Sequence, residues 1–142
     1  MPHILLIEDN PENLDLMSYL LRAFGHFVTT ATNGADGLRV ASEQRPELIL
    51  CDIHMPGMSG VDVARQLKGN PELASIPLVA VTAYAMVGDR EQILASGFEA
   101  YLSKPIEPEN FVSQIEASLR KGDESMARAV PLSSAESKRS NL

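Results

Sequence analysis

Tryptophan is absent from this 142-residue chain, cysteine occurs once, and aromatic residues make up only 5% of it. The lone Cys51 excludes an internal disulfide, and the scarcity of rings means a core of Leu, Ile, Val, Ala and Met. Cys51 lies inside an apolar run, where a small buried thiol is expected rather than a reactive nucleophile. Long apolar runs are missing too. No stretch approaches the ~18 residues of a membrane span, and Met1-Pro2-His3-Ile4 lacks the basic opening of a secretion signal. Basic charge is scarce: 12 Lys and Arg face 19 Asp and Glu, for a formal net charge of −7. With no basic stripe to offset this, direct binding to a nucleic-acid backbone is not expected. These absences point to a cytoplasmic globular domain with no membrane attachment.

What is present is an alternation of two patterns. Short apolar runs occur at Ile4–Ile7, Phe27–Ala31, Leu48–Cys51, Leu78–Val81 and Ala100–Leu102. The first, third and fourth are almost continuously apolar, as strands buried on both faces of a parallel sheet are. Between them lie helical spacings. Leu14, Met17, Leu21 and Phe24 form a stripe that starts after Asn10-Pro11 and stops at Gly25. Leu38 and Ala41 mark a second helix, Val63 and Leu67 a third ended by Gly69-Asn70-Pro71, and Ile93 and Leu94 a fourth before Gly97. Phe111, Val112, Ile115 and Leu119 make the clearest amphipathic stripe. Five strand–helix repeats predict a doubly wound α/β fold with helices on both faces of the sheet. The domain is expected over residues 1–121, followed by a flexible Ser-rich tail at 122–142 that is too short for an output domain.

In open α/β sheets the functional site lies at the C-terminal ends of the strands. Those ends carry Glu8-Asp9, Asp52, Thr82 and Lys104, while the second strand contributes nothing comparable. Singly, each has an ordinary explanation: a helix cap, a strand-end hydroxyl, a solvated cation. Together they suit one chemistry. Three carboxylates at close range repel one another without a cation, and oxygen-only donors favour Mg²⁺. Such a metal can bind phosphate oxygens while a carboxylate attacks phosphorus, which makes Asp52 the candidate nucleophile. Lys104 and the Thr82 hydroxyl could then contact the phosphoryl oxygens. In the loop from Asp52 to Gly60, Pro56, Gly57 and Gly60 shape a turn that could aim the His54 backbone carbonyl at the metal. The His54 imidazole is expected to face solvent, and His3 and His26 to be structural or solvated.

Glu8-Asp9, the loop Asp52…Met55-Pro56-Gly57…Gly60, Thr82-Ala83 and Lys104-Pro105-Ile106 together resemble the bacterial response-regulator receiver family, of the CheY-like superfamily. The likeness spans residues 3–120. It implies a flavodoxin-like (βα)5 three-layer sandwich with a parallel sheet in the order 2-1-3-4-5. It also implies Asp52 as phosphoacceptor, Asp9 and Asp52 as direct Mg²⁺ ligands, and Glu8 acting mostly through water. Thr82 becomes the switch hydroxyl, Lys104 the phosphate-contacting cation, Tyr101 the aromatic switch, and Lys104–Pro105 a cis peptide. Residues 82–89 resemble stand-alone and hybrid-kinase receivers, DivK-type regulators among them. His54 and Tyr84, two residues past Asp52 and Thr82, are expected to tune the lifetime of the acyl phosphate.

The implied function is a signalling switch or phosphorelay intermediate rather than an enzyme with a separate substrate. Its partners would be a sensor histidine kinase or histidine phosphotransfer protein, docking on the first helix and the loop after Lys104, and a downstream protein. The state implied is a monomer or a phosphorylation-linked dimer. A receiver-like docking module that is never phosphorylated stays open. An aspartyl-phosphate phosphohydrolase is disfavoured, because Glu8-Asp9-Asn10 lacks an Asp-x-Asp spacing and no cap insertion exists. An FMN binder of the same architecture is disfavoured because acids stand where a hydroxyl- and Gly-rich phosphate loop would be needed.

Overall fold

The strands are β1 (His3–Ile7), β2 (Phe27–Ala31), β3 (Leu48–Asp52), β4 (Leu78–Thr82) and β5 (Ala100–Ser103). They alternate with α1 (Pro11–Ala23), α2 (Gly34–Gln44), α3 (Gly60–Lys68), α4 (Val87–Ala95) and α5 (Pro108–Glu124). This computed structural model describes residues 2–83 and 87–124, the side chains of 87–89 and 121–124 excepted. Tyr84 and the segment 125–142 therefore lie outside the described residues. The strands pair in parallel in the order β2-β1-β3-β4-β5, the doubly wound sheet expected. α5 continues to Glu124, past the boundary expected at Lys121.

Alternation along the strands sorts the core into two layers. Ile4, Leu6, Leu48, Leu50, Val79 and Val81 turn to one face, where Met17 and Leu21 of α1 and Phe111, Val112 and Ile115 of α5 cover them. Leu5, Ile7, Ile49, Cys51, Leu78 and Ala80 turn to the other, against Val40 and Ala41 of α2, Val63 and Leu67 of α3 and Ile93 of α4. Successive strand residues point to opposite faces, so continuously apolar strands require both layers. The α1 stripe holds with one exception. Met17 and Leu21 are fully buried and Leu14 packs on the core, but Phe24 is 62% exposed. The helix ends at Ala23, and Phe24 becomes its C-cap at φ −98°, ψ 16°, which swings the ring off the stripe. Gly25 follows at φ +90°, a conformation glycine adopts without a Cβ penalty.

Caps set the helix starts that flank the strand ends. Asn10 accepts from the Asn13 N–H with Pro11 in the first turn, and Ser59 and Asp62 form a reciprocal capping box at α3. At the opposite end of the sheet a polar clamp joins the end of α3 to the α3–β4 and α4–β5 connections. Lys68 Nζ donates to the carbonyls of Ala74 (3.0 Å) and Ile76 (3.2 Å) and to Glu99 Oε2 (2.9 Å). The other Glu99 oxygen accepts the Leu78 N–H at 2.6 Å. Replacing Glu99→Ala leaves the Leu78 N–H and Lys68 without their carboxylate, and should lower unfolding stability by about 2 kcal/mol. Urea denaturation measures this; a loss below ~0.5 kcal/mol would mean the pair acts as an ordinary solvated surface bridge.

Candidate functional site

The strands deliver their charged residues to one edge of the sheet. Glu8 and Asp9 follow directly on β1, Asp52 ends β3, Thr82 ends β4, and Lys104 follows β5. Because β1 and β3 are hydrogen-bonded neighbours, with Ile7 beside Cys51, the carboxylates on both strands are brought together. One oxygen from each of Glu8, Asp9 and Asp52 falls within a mutual 4.8 Å. Lys104 Nζ reaches over from β5 to 3.4 Å from both Glu8 Oε1 and Asp52 Oδ2. Glu8 is fully buried, Asp52 is 3% exposed, and Asp9 is half-buried at the mouth of the cluster.

Three carboxylates against one ammonium leave two negative charges unbalanced, the charge of one divalent cation. All the donors are oxygens, which suits a hard cation. Glu8 Oε1 supports the fit: it is buried with no hydrogen-bond partner. The acidic cluster can therefore hold a metal ion. In the absence of one, burial pushes the Glu8 carboxyl up from 4.5 to about 7, with the negative Asp52 adding to the rise. The Asn10 N–H, donating to Glu8 Oε2 at 3.1 Å, and the Lys104 ammonium pull the other way.

The loop after Asp52 is held against the strand it leaves. The His54 N–H donates to Asp52 Oδ1 (3.3 Å), and the Gly60 N–H donates to the Ile53 carbonyl (2.9 Å). A Cβ on Gly60 would overlap the Asp52 carbonyl oxygen and come within 2.8 Å of Ile53 Cα. Only glycine permits this approach. The sequence marks Gly60 as a turn residue, but the close backbone contact is visible only in three dimensions. The His54 side chain faces solvent, as expected.

Thr82 is fully buried, one residue beyond the Val81 that pairs with Asp52, and its carbonyl accepts the Lys104 N–H at 2.8 Å. The Lys104–Pro105 bond is cis. Tyr101 is 6% exposed, its side chain in the layer that holds Ile93 and Phe98. Cys51 is fully buried, donates to the Asp52 carbonyl at 3.3 Å, and has its thiol pKa raised by burial first and by Asp52 and Glu8 next. It is the inert thiol expected. Neither of the other histidines is simply solvated. His3 is the first residue of β1, its Nε2 2.8 Å from Thr29 Oγ1, and buried His26 pairs with Glu116 of α5 at 2.9 Å.

Glu8 generates a pH prediction. Between pH 4.5 and about 7 the metal-free folded state holds a proton that the unfolded chain has lost. The stability from this group is complete below the unfolded value and disappears as pH rises through the folded one, a fall of about 3 kcal/mol. Urea denaturation at intervals across that range in chelator should show the decline, and Glu8→Gln should flatten it. An unchanged slope in Glu8→Gln would place the titration elsewhere.

Among the described residues no helix is long and apolar enough to cross a membrane. Comparison with known proteins agrees with the geometry. A polar-differentiation response regulator, DivK, of Brucella anthropi is 44% identical over 116 residues, covering 82% of this chain and 94% of that protein. The signal receiver domain of a signal transduction histidine kinase from Syntrophus aciditrophicus is 29% identical, with a TM-score of 0.80 over 88% of this chain and 95% of the other. A CheY-like response regulator receiver domain protein from Methanospirillum hungatei, 25% identical, superposes with a TM-score of 0.80 over 87% of this chain and 98% of its own. Residues 4–116 match the family described as response regulator receiver domain. With its carboxylate cluster, its sheet order and this match in agreement, the chain belongs to the response regulator receiver domain family.

Proposed function

We propose that this receiver takes a phosphoryl group from the phosphohistidine of a sensor kinase or phosphotransfer protein onto Asp52, in a Mg²⁺-dependent reaction. The observation that carries the reading is the cluster of Glu8, Asp9 and Asp52 within 4.8 Å, with Lys104 3.4 Å from Asp52. Asp9, Asp52 and the His54 backbone carbonyl would hold Mg²⁺ directly, and Glu8 through water. Bound there, the ion neutralises charge on the phosphoryl oxygens and orients them. Asp52 supplies the nucleophile: a carboxylate oxygen bonds to phosphorus as the donor's P–N bond breaks and its electron pair returns to the imidazole. Lys104 then exchanges part of its pairing with Asp52 for the phosphoryl oxygens.

Thr82 is the switch hydroxyl and Tyr101 the ring that follows it, so that a local charge biases the face made by α4, β5 and α5. The receiver unit is residues 1–121, with the Ser-rich segment 122–142 accessory to it. It acts in the cytoplasm as a switch, promoting only its own phosphotransfer and autodephosphorylation. The phosphodonor docks on α1 and the loop after Lys104, and the output is contact with a protein target or onward transfer, by a monomer or a phosphorylation-linked dimer. The acidic body argues against direct contact with nucleic acid.

Intact mass after incubation with acetyl phosphate tests this. A single phosphoryl adduct is expected in the wild type with Mg²⁺, and none in Asp52→Ala or in chelator. If the wild type resists both small donors and a panel of kinases and binds no beryllofluoride, the chain is a docking module instead. Metal binding has its own readout. Mg²⁺ at about a hundred times its Kd should add about 3 kcal/mol of stability to the wild type, and Asp9→Asn should lose most of that gain in thermal melts.

A further inference from the structure

The loop that leaves Asp52 is anchored unevenly. Its ends are held through the backbone, by the His54 N–H on Asp52 Oδ1 and the Gly60 N–H on the Ile53 carbonyl. Among the described residues, no backbone hydrogen bond reaches Met55–Met58 between them. Pro56 and Gly57 are exposed, so two side chains tie this stretch to the fold. Met55 is buried in the core layer of α2 and α3, and Met58 is half-buried against the same layer.

Met58 has a close-fitting seat. It lies over Gly34, the first residue of α2, where an added Cβ would stand 2.8 Å from Met58 Sδ and 3.0 Å from its Cγ. Val63 of α3 closes the seat, its Cγ2 2.9 Å from the same point. Unstrained contacts begin at about 3.5 Å, so no larger residue fits at 34 with Met58 in place. Three residues on, and so on the same helix face, an added Cβ at Gly37 would overlap Ile7, the residue before Glu8. One face of α2 therefore bears on both segments that carry the cation-site groups: the end of β1, with Glu8 and Asp9, and the loop with His54.

We propose, on the reading of Glu8, Asp9 and Asp52 as a metal site, that Met58 seated on Gly34 is a positioning residue for the cation. It touches neither metal nor phosphoryl group. Its role is to hold the loop from Ile53 to Ser59 in the one shape that presents the His54 backbone carbonyl. The reason is entropic: a stretch without backbone hydrogen bonds keeps a single shape only while its side chains are seated. A loop that must be ordered when the ion arrives costs affinity that a preordered one does not. Loss of a group that orients a metal ligand typically weakens binding about 10- to 100-fold.

Mg²⁺ titrations followed by thermal melting, together with amide exchange in chelator, test this in the full chain. Met58→Ala should raise the Mg²⁺ Kd about tenfold. In chelator its amides over residues 53–60 should exchange about tenfold faster, with those of β1 and β3 as in the wild type. Met58→Leu, close in volume, should restore both readouts. Gly34→Ala should weaken Mg²⁺ as Met58→Ala does, and the double variant no further than either alone, because both act through one contact. A Met58→Ala protein that melts lower in chelator yet keeps the wild-type Kd would make Met58 a packing residue and overturn the proposal alone. So would single effects that multiply in the double variant. A wild type whose melting ignores Mg²⁺ would overturn the metal site and the role of Met58 together.

Discussion

Everything distinctive about this protein depends on holding like charges together. Glu8, Asp9 and Asp52 crowd one edge of the sheet, two of them almost wholly out of water, and Lys104 offsets only part of their repulsion. Such an arrangement is unfavourable by itself, and burial first, with the negative Asp52 adding to it, keeps the Glu8 carboxyl protonated towards neutral pH. It persists because the surrounding fold is rigid. β1 and β3 are buried on both faces, so neither strand can slide to separate the carboxylates without disrupting two core layers.

The same strain makes the site responsive. A cluster short of positive charge favours a divalent cation, and a cation there makes the approach of a phosphoryl group possible. The proposed roles of Thr82 and Lys104 follow from their places on β4 and β5: they stand beside the carboxylates without belonging to the same strands. The Lys104 N–H and the Thr82 carbonyl join the ends of β4 and β5 at that edge. At the far end, the Lys68–Glu99 clamp ties α3, β4 and the approach to β5.

Much of this was legible in the residues. Continuous apolar runs at Ile4–Ile7, Leu48–Cys51 and Leu78–Val81 announced a two-sided parallel sheet, and polar punctuation at Asn10-Pro11, Gly25 and Gly69 set the helix limits within a residue or two. Phe24 was misplaced because periodicity continues past a helix end that the backbone does not honour. His26 could not be paired with Glu116 from sequence, since ninety residues separate them and no local pattern links a turn to a distant helix face.

The sequence by itself determined the order of elements, the core composition and the identity of the strand-end residues, because short-range periodicity and backbone preference encode those directly. Only the tertiary structure decided how far each acid is buried, that Lys104 bridges Glu8 and Asp52, that Gly60 must pass against the Asp52 backbone, and that Met58 seats against Gly34. Those properties arise from distances between segments remote in the chain. Desolvation, ion pairing and steric exclusion act through space, and the linear pattern carries no measure of it.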